Sequence, residues 1–249
     1  MDLRPIVSAA PAVALQGTVL RLVQQQGINS LDPLVDNLEQ LARLEALVKT
    51  SKPLSQAAAA GIPSHPFLAT PFRYPPLRHG SCFGSRQQRG MFYGSRSRSG
   101  SLLEGAFYAL LFWEGLIDPS PAPIRRRQTL FSVLLNASLG LRLQAIADQA
   151  AQLTLRDSME YGPSQQLGEW MRDQRIEAFE YLSARSSDSL IQVAVLTPAV
   201  FQSTPCDQVE ITTEITADHA SFLCHDDARL HRFPRELFLI DGQLPRAAH

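Results

Sequence analysis

The sequence predicts a mixed α+β fold. An amphipathic helical repeat runs from Leu31 to Val48, and a more apolar helical stretch occupies Ser101 to Leu116. Short alternating runs of the kind that form strands then recur between Gln128 and Ile240, and no internal repeat is visible. The chain has 249 residues, 45% of them hydrophobic and 19% charged. That is long enough for one main domain with an extension, and ordinary for a globular protein.

A short helix is expected first, over Val13 to Gln25. In the longer one that follows, Leu31, Leu34, Val35, Leu38, Leu41, Leu44 and Val48 share one face, with Asp36, Glu39, Gln40 and Arg43 opposite. Asp32 before Pro33 suits an N-cap followed by a first-turn proline. Leu34, Leu38 and Leu41 could pack on their own domain or form a dimer or partner-binding surface, the former being preferred. Ser51 to Ser64, with Pro53, Gly61 and Pro63 around an alanine run, reads as a connector. Residues 1–65 are therefore expected to be a helical N-terminal extension, and residues 66–249 the main domain with a β-rich tail.

Within the main domain, Pro66 to Gly100 reads as loops and short strands around Met91-Phe92-Tyr93. The helix from Ser101 to Leu116 is apolar nearly all the way round, which suits a core helix. After a break at Asp118 to Pro123, strands are expected at Gln128–Leu134, Leu139–Leu143, Ala178–Tyr181 and Ile191–Leu196, with a helix at Pro163–Gln174. The stretch from Val209 to Ile240, including ELFLI, reads as further strand.

Composition excludes several classes of function. The net charge of −1 provides no global field for nucleic acid or an anionic membrane, so direct nucleic-acid binding is not expected. The basic residues are almost all arginine, with lysine only at Lys49 and Lys52, so local phosphate-gripping clusters still matter. Cys82, Cys206 and Cys224 form no CxxC pair and suit a reducing compartment. The start of the chain lacks the basic and apolar regions of a signal peptide, and no run of about eighteen apolar residues occurs. A cytoplasmic location with no membrane contact is expected.

The residues with chemical promise begin at Thr70. Between there and Gly94 lie Arg73, Arg78, Arg86 and Arg89 among Gly80, Gly84 and Gly90, with Phe72, Tyr74, Phe83, Phe92 and Tyr93. Glycines admit a ligand close to the backbone, arginines grip phosphate oxygens and aromatics stack on planar rings. The mixture suits a nucleotide or dinucleotide. On composition alone, an arginine-rich surface loop above packed aromatics accounts for it as well. Glu104 sits in the apolar helix, where a carboxylate needs a partner or its proton affinity rises. Two roles are open to it: a buried ion pair, or holding a ribose hydroxyl and stabilising an oxocarbenium-like transition state. Ser183 follows an alternating strand, where a serine either turns the chain or bonds a ligand or a neighbouring arginine.

Together these residues resemble the RES-domain family, named for its arginine, glutamate and serine. The family's loop has the form R-[FY]-G-[GS]-R, followed by an aromatic-Tyr-[AG] strand and a Glu eleven residues beyond that Tyr. Here Phe83-Gly84-Ser85-Arg86 precedes Phe92-Tyr93-Gly94, and Glu104 stands eleven residues after Tyr93. Tyr181-Leu182-Ser183-Ala184-Arg185 looks like the family's later serine-containing strand end, so the resemblance spans about Pro66 to Phe201.

The resemblance implies an ADP-ribosyltransferase-like mixed sheet with NAD⁺ bound in a cleft as substrate, and no separate cofactor. It implies a toxin that cleaves the nicotinamide–ribose bond with phosphate or water, or that transfers ADP-ribose to a protein. Its expected partner is an Xre-type antitoxin, in a hetero-oligomer. Arg86, with Arg73 near it, would bind the NAD⁺ phosphates, and Tyr93 would pack against the nicotinamide end. Glu104 would hold the nicotinamide ribose, and Ser183 would orient the arginine or the ligand. Two departures stand out. Cys82 occupies the motif's first arginine position, with Arg73, Arg78 and Arg89 as candidates to replace it, and Gln87 follows Arg86 where an aromatic is usual. A catalytically degenerate NAD-binding module is the corresponding alternative.

Other signals carry less. His219, Cys224, His225, Asp226, Asp227 and His231 match no familiar zinc spacing, and no metal site is expected. Cys82 lacks a positioned base and reads as a neutral substitution, and Arg125-Arg126-Arg127 reads as solvated. No GxGxxG or GxxxxGK[ST] motif occurs, which removes support for a Rossmann dehydrogenase or a P-loop nucleotidase.

Overall fold

The computed structural model describes residues 1–24, 65–73, 80–118, 122–186 and 188–245. The helix expected over 31–48, the connector at 51–64, and Tyr74, Arg78 and His79 lie outside them.

The two strands expected at 128–134 and 139–143 are parts of one 19-residue strand, β3 (Ile124–Arg142). The alternation does not stop between them: Phe131, Val133, Leu135 and Ala137 are buried, while Leu134, Asn136 and Ser138 are exposed. Strand β1 (Val13–Gln24) runs antiparallel along one edge of β3, from Val13 opposite Gly140 to Gln24 opposite Gln128. This corrects the helix expected over Val13 to Gln25. The segment holds the β-branched residues Val13, Thr18, Val19 and Val23 and an interior glycine, all poor in a helix, and pairing with β3 decides the outcome.

The other edge of β3 is shared. Its first half carries β6 (Cys206–Ile215), antiparallel, and its last three residues carry β4 (Ala178–Leu182), parallel. β4 pairs with β5 (Ile191–Val195), β5 with β2 (Phe92–Ser95), and β2 returns to β1 at Leu20 and Ser95. Strands β1, β2, β5, β4 and β3 thus form a closed circuit. A Cβ on Gly94 would lie 2.5 Å from Val19 Cγ1 and 2.8 Å from the Leu20 carbonyl, so only glycine lets β2 approach β1 there. Beyond β6 the sheet continues through β7 (His219–Cys224) and β8 (Arg229–Pro234). ELFLI is not a strand. Arg235–Phe238 forms a 3₁₀ turn that buries Phe238 against Phe107.

Helices cover the sheet according to its apolar faces. One cluster joins Leu15, Val19, Phe92, Phe131, Val133 and Val193. Helix α2 (Pro66–Arg73), in a region expected to be loop, packs Leu68 into this cluster and stacks Phe67 on Phe131. On another face α1 (Arg4–Ser8), α4 (Gln149–Leu155) and α5 (Gly162–Asp173) bury Val7, Leu155, Leu167 and Met171 against Leu141 and Phe179. Helix α3 (Arg98–Glu114) is capped by Ser97, whose hydroxyl accepts from the Gly100 amide, and packs Leu102, Ala106, Phe107 and Leu110 on Ile211 and Phe222. Its coverage is one-sided. Tyr108 is 55% exposed and Phe112 39%, so the apolar circumference read as a core helix includes a face turned to a cleft. No described helix is long and apolar enough to cross a membrane.

Gly168 on α5 sets the depth of the loop that carries Cys82. A Cβ there would lie 1.8 Å from the Phe83 carbonyl oxygen. Gly168→Ala is therefore expected to lower stability by about 1–3 kcal/mol, as overpacking does in a closed core. Chemical denaturation measures this, and an unchanged midpoint would show that the loop moves aside freely.

Candidate functional site

Three elements bring the site together. The loop 81–84 is folded back by paired backbone bonds between Ser81 and Gly84. Tyr93 on β2 locks it: its hydroxyl accepts from the Phe83 amide at 3.2 Å and bonds the Ser81 hydroxyl at 2.9 Å. Gln165 of α5 donates to the Ser81 carbonyl at 3.0 Å. Burial pushes the Tyr93 phenol up, so it stays protonated. Phe83 is wedged edge-on against Phe179 and Tyr181 of β4, at 4.8 and 4.9 Å between ring centres. These contacts hold Cys82 beside the inner end of a cleft.

The cleft has a volume of about 950 Å³, and its walls include Arg21, Tyr93, Glu104, Tyr108, Arg126 and Tyr181. A second cavity of about 20 Å³ lies behind Glu104, lined in part by Cys82, Asp157, Tyr161, Ser164 and Arg185. Glu104 belongs to both walls. The fully buried Ser183 donates its hydroxyl hydrogen to Glu104 Oε1 at 2.7 Å and accepts from the Arg185 amide at 3.1 Å. Burial pushes the Glu104 carboxyl above the ordinary glutamate range, against the opposing pull of the Arg185 charge and the Ser183 bond. Arg185, 6% exposed, lies with its guanidinium carbon 3.7 Å from the Phe107 ring centre and donates to the Tyr161 hydroxyl.

Tyr93, Glu104 and Ser183 therefore converge, and two of the arginines expected at the site do not join them. Arg86 is exposed on the turn after Gly84 and is not part of the cleft wall. Arg73 ends α2 next to the wall residues Thr70 and Pro71, and its Nε is buried without a hydrogen-bond partner among the described residues. Among the described residues, the cations that do line the cleft are Arg21 and Arg126. Arg21 stands over the Phe92 ring at 4.6 Å and donates to the Tyr93 carbonyl at 3.2 Å, and burial lowers its pKa to about 10. Arg126 lies flat on Phe112 at 3.6 Å, and burial also lowers its pKa.

Each of these cations left a trace in the sequence. Arg21 is a lone charge among Leu20, Leu22 and Val23, and only the strand conformation of the segment turns it to the cleft. In Arg125-Arg126-Arg127 the strand period separates the middle residue from its neighbours. Arg125 pairs with Glu214 at 2.9 Å and Arg127 approaches Glu210 at 3.8 Å, both exposed, while Arg126 turns to the cleft. Arg185 lies within the serine motif, two residues after Ser183.

The thiol of Cys82 is pushed up by burial, which does not suit an activated nucleophile. Of the Cys/His/Asp cluster near the end of the chain, Cys224, Asp226 and Asp227 converge, but Arg98 bonds both carboxylates, at 2.6 and 3.2 Å. His225 bonds Thr212 and His219 bonds Thr216.

The raised Glu104 carboxyl has a consequence for stability. The folded chain keeps this proton to higher pH than the unfolded chain does. Between the ordinary glutamate value and the raised one the folded state binds more protons, so stability falls as pH rises through that window. Glu104→Gln lacks this loss. The unfolding free energy of the variant relative to the parent is expected to grow across the window and level off above it. A flat difference throughout would show that the carboxyl is not raised.

No curated protein matches the chain. Among solved structures it is similar to a chain of the M. tuberculosis MbcT–MbcA toxin–antitoxin complex, with 10% identity and a TM-score of 0.45, over 86% of this chain and 92% of that one. The RES domain family matches residues 40–214, well over half of the sequence and including Cys82, Tyr93, Glu104, Ser183 and Arg185. The chain belongs to the RES-domain family.

Proposed function

We propose that this protein is a toxin that consumes NAD⁺ by cleaving its nicotinamide–ribose bond, and that a separate Xre-type antitoxin restrains it. The observation that carries the chemical part is Glu104, a carboxylate facing the cleft and held by Ser183. Membership of the RES-domain family supports the toxin role and the antitoxin partner.

The reaction asks little beyond charge placement. Nicotinamide in NAD⁺ is a cationic leaving group. When the bond from ribose C1′ to the pyridine nitrogen breaks, the electron pair leaves with nicotinamide, and positive charge develops on the ribose. Glu104, in its ionised form, stabilises that charge and holds a ribose hydroxyl. Water or inorganic phosphate then attacks C1′, giving ADP-ribose or its 1-phosphate. The Tyr93 ring forms part of the wall at the nicotinamide end. Arg21 and Arg126 take over the pyrophosphate role first expected of Arg86, because they line the cleft and Arg86 does not. A cleft of about 950 Å³ is at the upper end of ordinary ligand sites and suits a dinucleotide.

The deciding experiment follows nicotinamide release from NAD⁺ by the purified protein, with and without phosphate. Glu104→Gln is expected to reduce turnover on the order of 10²–10³-fold, as loss of a charge-stabilising group does. Dependence on phosphate identifies phosphorolysis, and label from NAD⁺ retained on a polypeptide identifies ADP-ribosyl transfer. NAD⁺ that binds but stays intact in every condition would overturn the enzyme reading in favour of the degenerate module, to which Cys82 at an arginine position points. Arg126→Ala is expected to raise KM for NAD⁺ about tenfold or more with kcat nearly unchanged, the loss of a charge-assisted bond to phosphate. An unchanged KM places the phosphates elsewhere.

A further inference from the structure

We propose that Arg185 is a positioning residue that sets the direction and the charge of the Glu104 carboxylate from behind the cleft, acting through Ser183 and across the small cavity. The proposal rests on the reading of Glu104 as the catalytic carboxylate.

The first observation is a buried cation without an ion pair. Arg185 is 6% exposed, and no carboxylate lies within salt-bridge distance of it among the described residues. Its Nη2 donates to Tyr161, its guanidinium lies over Phe107, and its Nη1 has no hydrogen-bond partner among the described residues. A guanidinium so far from water needs compensating negative charge. Burial works to push its pKa down and is outweighed by Tyr161, Cys82 and Glu104, of which Glu104 is the carboxylate. The two charges face the same cavity of about 20 Å³.

The second observation is a directed hydrogen-bond relay. A serine hydroxyl has a single hydrogen. The Arg185 amide donates into the Ser183 oxygen at 3.1 Å, which leaves that hydrogen to point at Glu104 Oε1, 2.7 Å away. The side chain repeats the constraint on the other partner: Phe107, under the guanidinium, lies three residues beyond Glu104, on the same side of α3. One residue thus braces the serine through its backbone and the helix through its side chain.

Among the described residues, the other ionisable groups that share a cavity wall with Glu104 are Cys82 from the loop, Tyr93 on β2, Tyr108 on its own helix, Tyr161 at the start of α5, Tyr181 on β4, Asp157 before α5, Arg21 on β1 and Arg126 on β3. Burial raises Cys82, Tyr161 and Tyr181, which stay neutral through the acid range. Asp157 can only oppose ionisation of Glu104. Arg185 is the cation coupled to Glu104.

The test is a ¹³C-carboxyl NMR titration of Glu104, assigned by difference with Glu104→Gln, together with the pH–rate profile for NAD⁺ loss. Arg185→Met keeps the side chain's bulk and removes its charge. It is expected to move the Glu104 titration and the acid limb of the rate upward by about one pH unit or more, with KM for NAD⁺ unchanged and much of the rate recovered at higher pH. Arg185→Lys, which keeps the charge, is expected to titrate near the parent. Should Arg185→Met not fold, Arg185→Gln keeps a bond to Tyr161 and gives the same reading. A Glu104 titration that does not move on loss of the charge overturns the proposal, as does a rate lowered equally at every pH. Intact NAD⁺ with the parent protein overturns the proposed function instead, and the NMR titration still decides on Arg185.

Discussion

Strand β3 bonds to β1 along one edge and to β6 and then β4 along the other, and each partner fixes a different wall of the cleft. β1 brings Arg21, β6 brings Thr213 and Ile215, and β4 carries Tyr181 and leads from Leu182 into Ser183. β3 itself contributes Arg126 and Gln128. A shift of β3 by one residue would turn every one of its side chains to the opposite face, so the register of this strand decides whether the site exists. Glu180, 6% exposed, reinforces the closed circuit by bonding Arg96 at 2.7 Å and Gln144 at 2.8 Å, while Arg96 also reaches the Thr18 carbonyl of β1.

Against this frame the site trades stability for charge. Glu104 is placed on an apolar helix, where ionising it is unfavourable, and a serine bond and a buried arginine offset only part of that. Tyr93 has the opposite character. Its hydroxyl is spent on Ser81 and Phe83, so its part in the site is to hold the loop and to present its ring.

The family match and the sheet do not coincide. β1, β7 and β8 lie outside residues 40–214, yet β1 supplies Arg21 and β7 supplies Phe222, on which α3 rests. The positive charge on the cleft wall is distributed in the same way. The glycine-rich stretch carries several arginines in sequence, but Arg86 is exposed to solvent, and the described cations in the cleft come from long strands.

Much was legible in the residues alone. The motif around Arg86, Tyr93, Glu104 and Ser183 identified the family, the alternation of residues 178–181 and 191–196 identified β4 and β5 to within one residue, and the apolar run after Ser101 identified α3. These are local patterns, set by side-chain period and motif spacing. Whether residues 13–24 form a strand, whether residues 236–240 do not, and which arginine faces the cleft were decided only by tertiary structure. The reason is physical: Val13–Gln24 is a strand because β3 offers an edge that satisfies its backbone, and Arg126 enters the cleft because the register of β3 turns it there, while its two neighbours pair with glutamates in solvent. Non-local pairing partners and the face they select are not written in any short stretch of sequence.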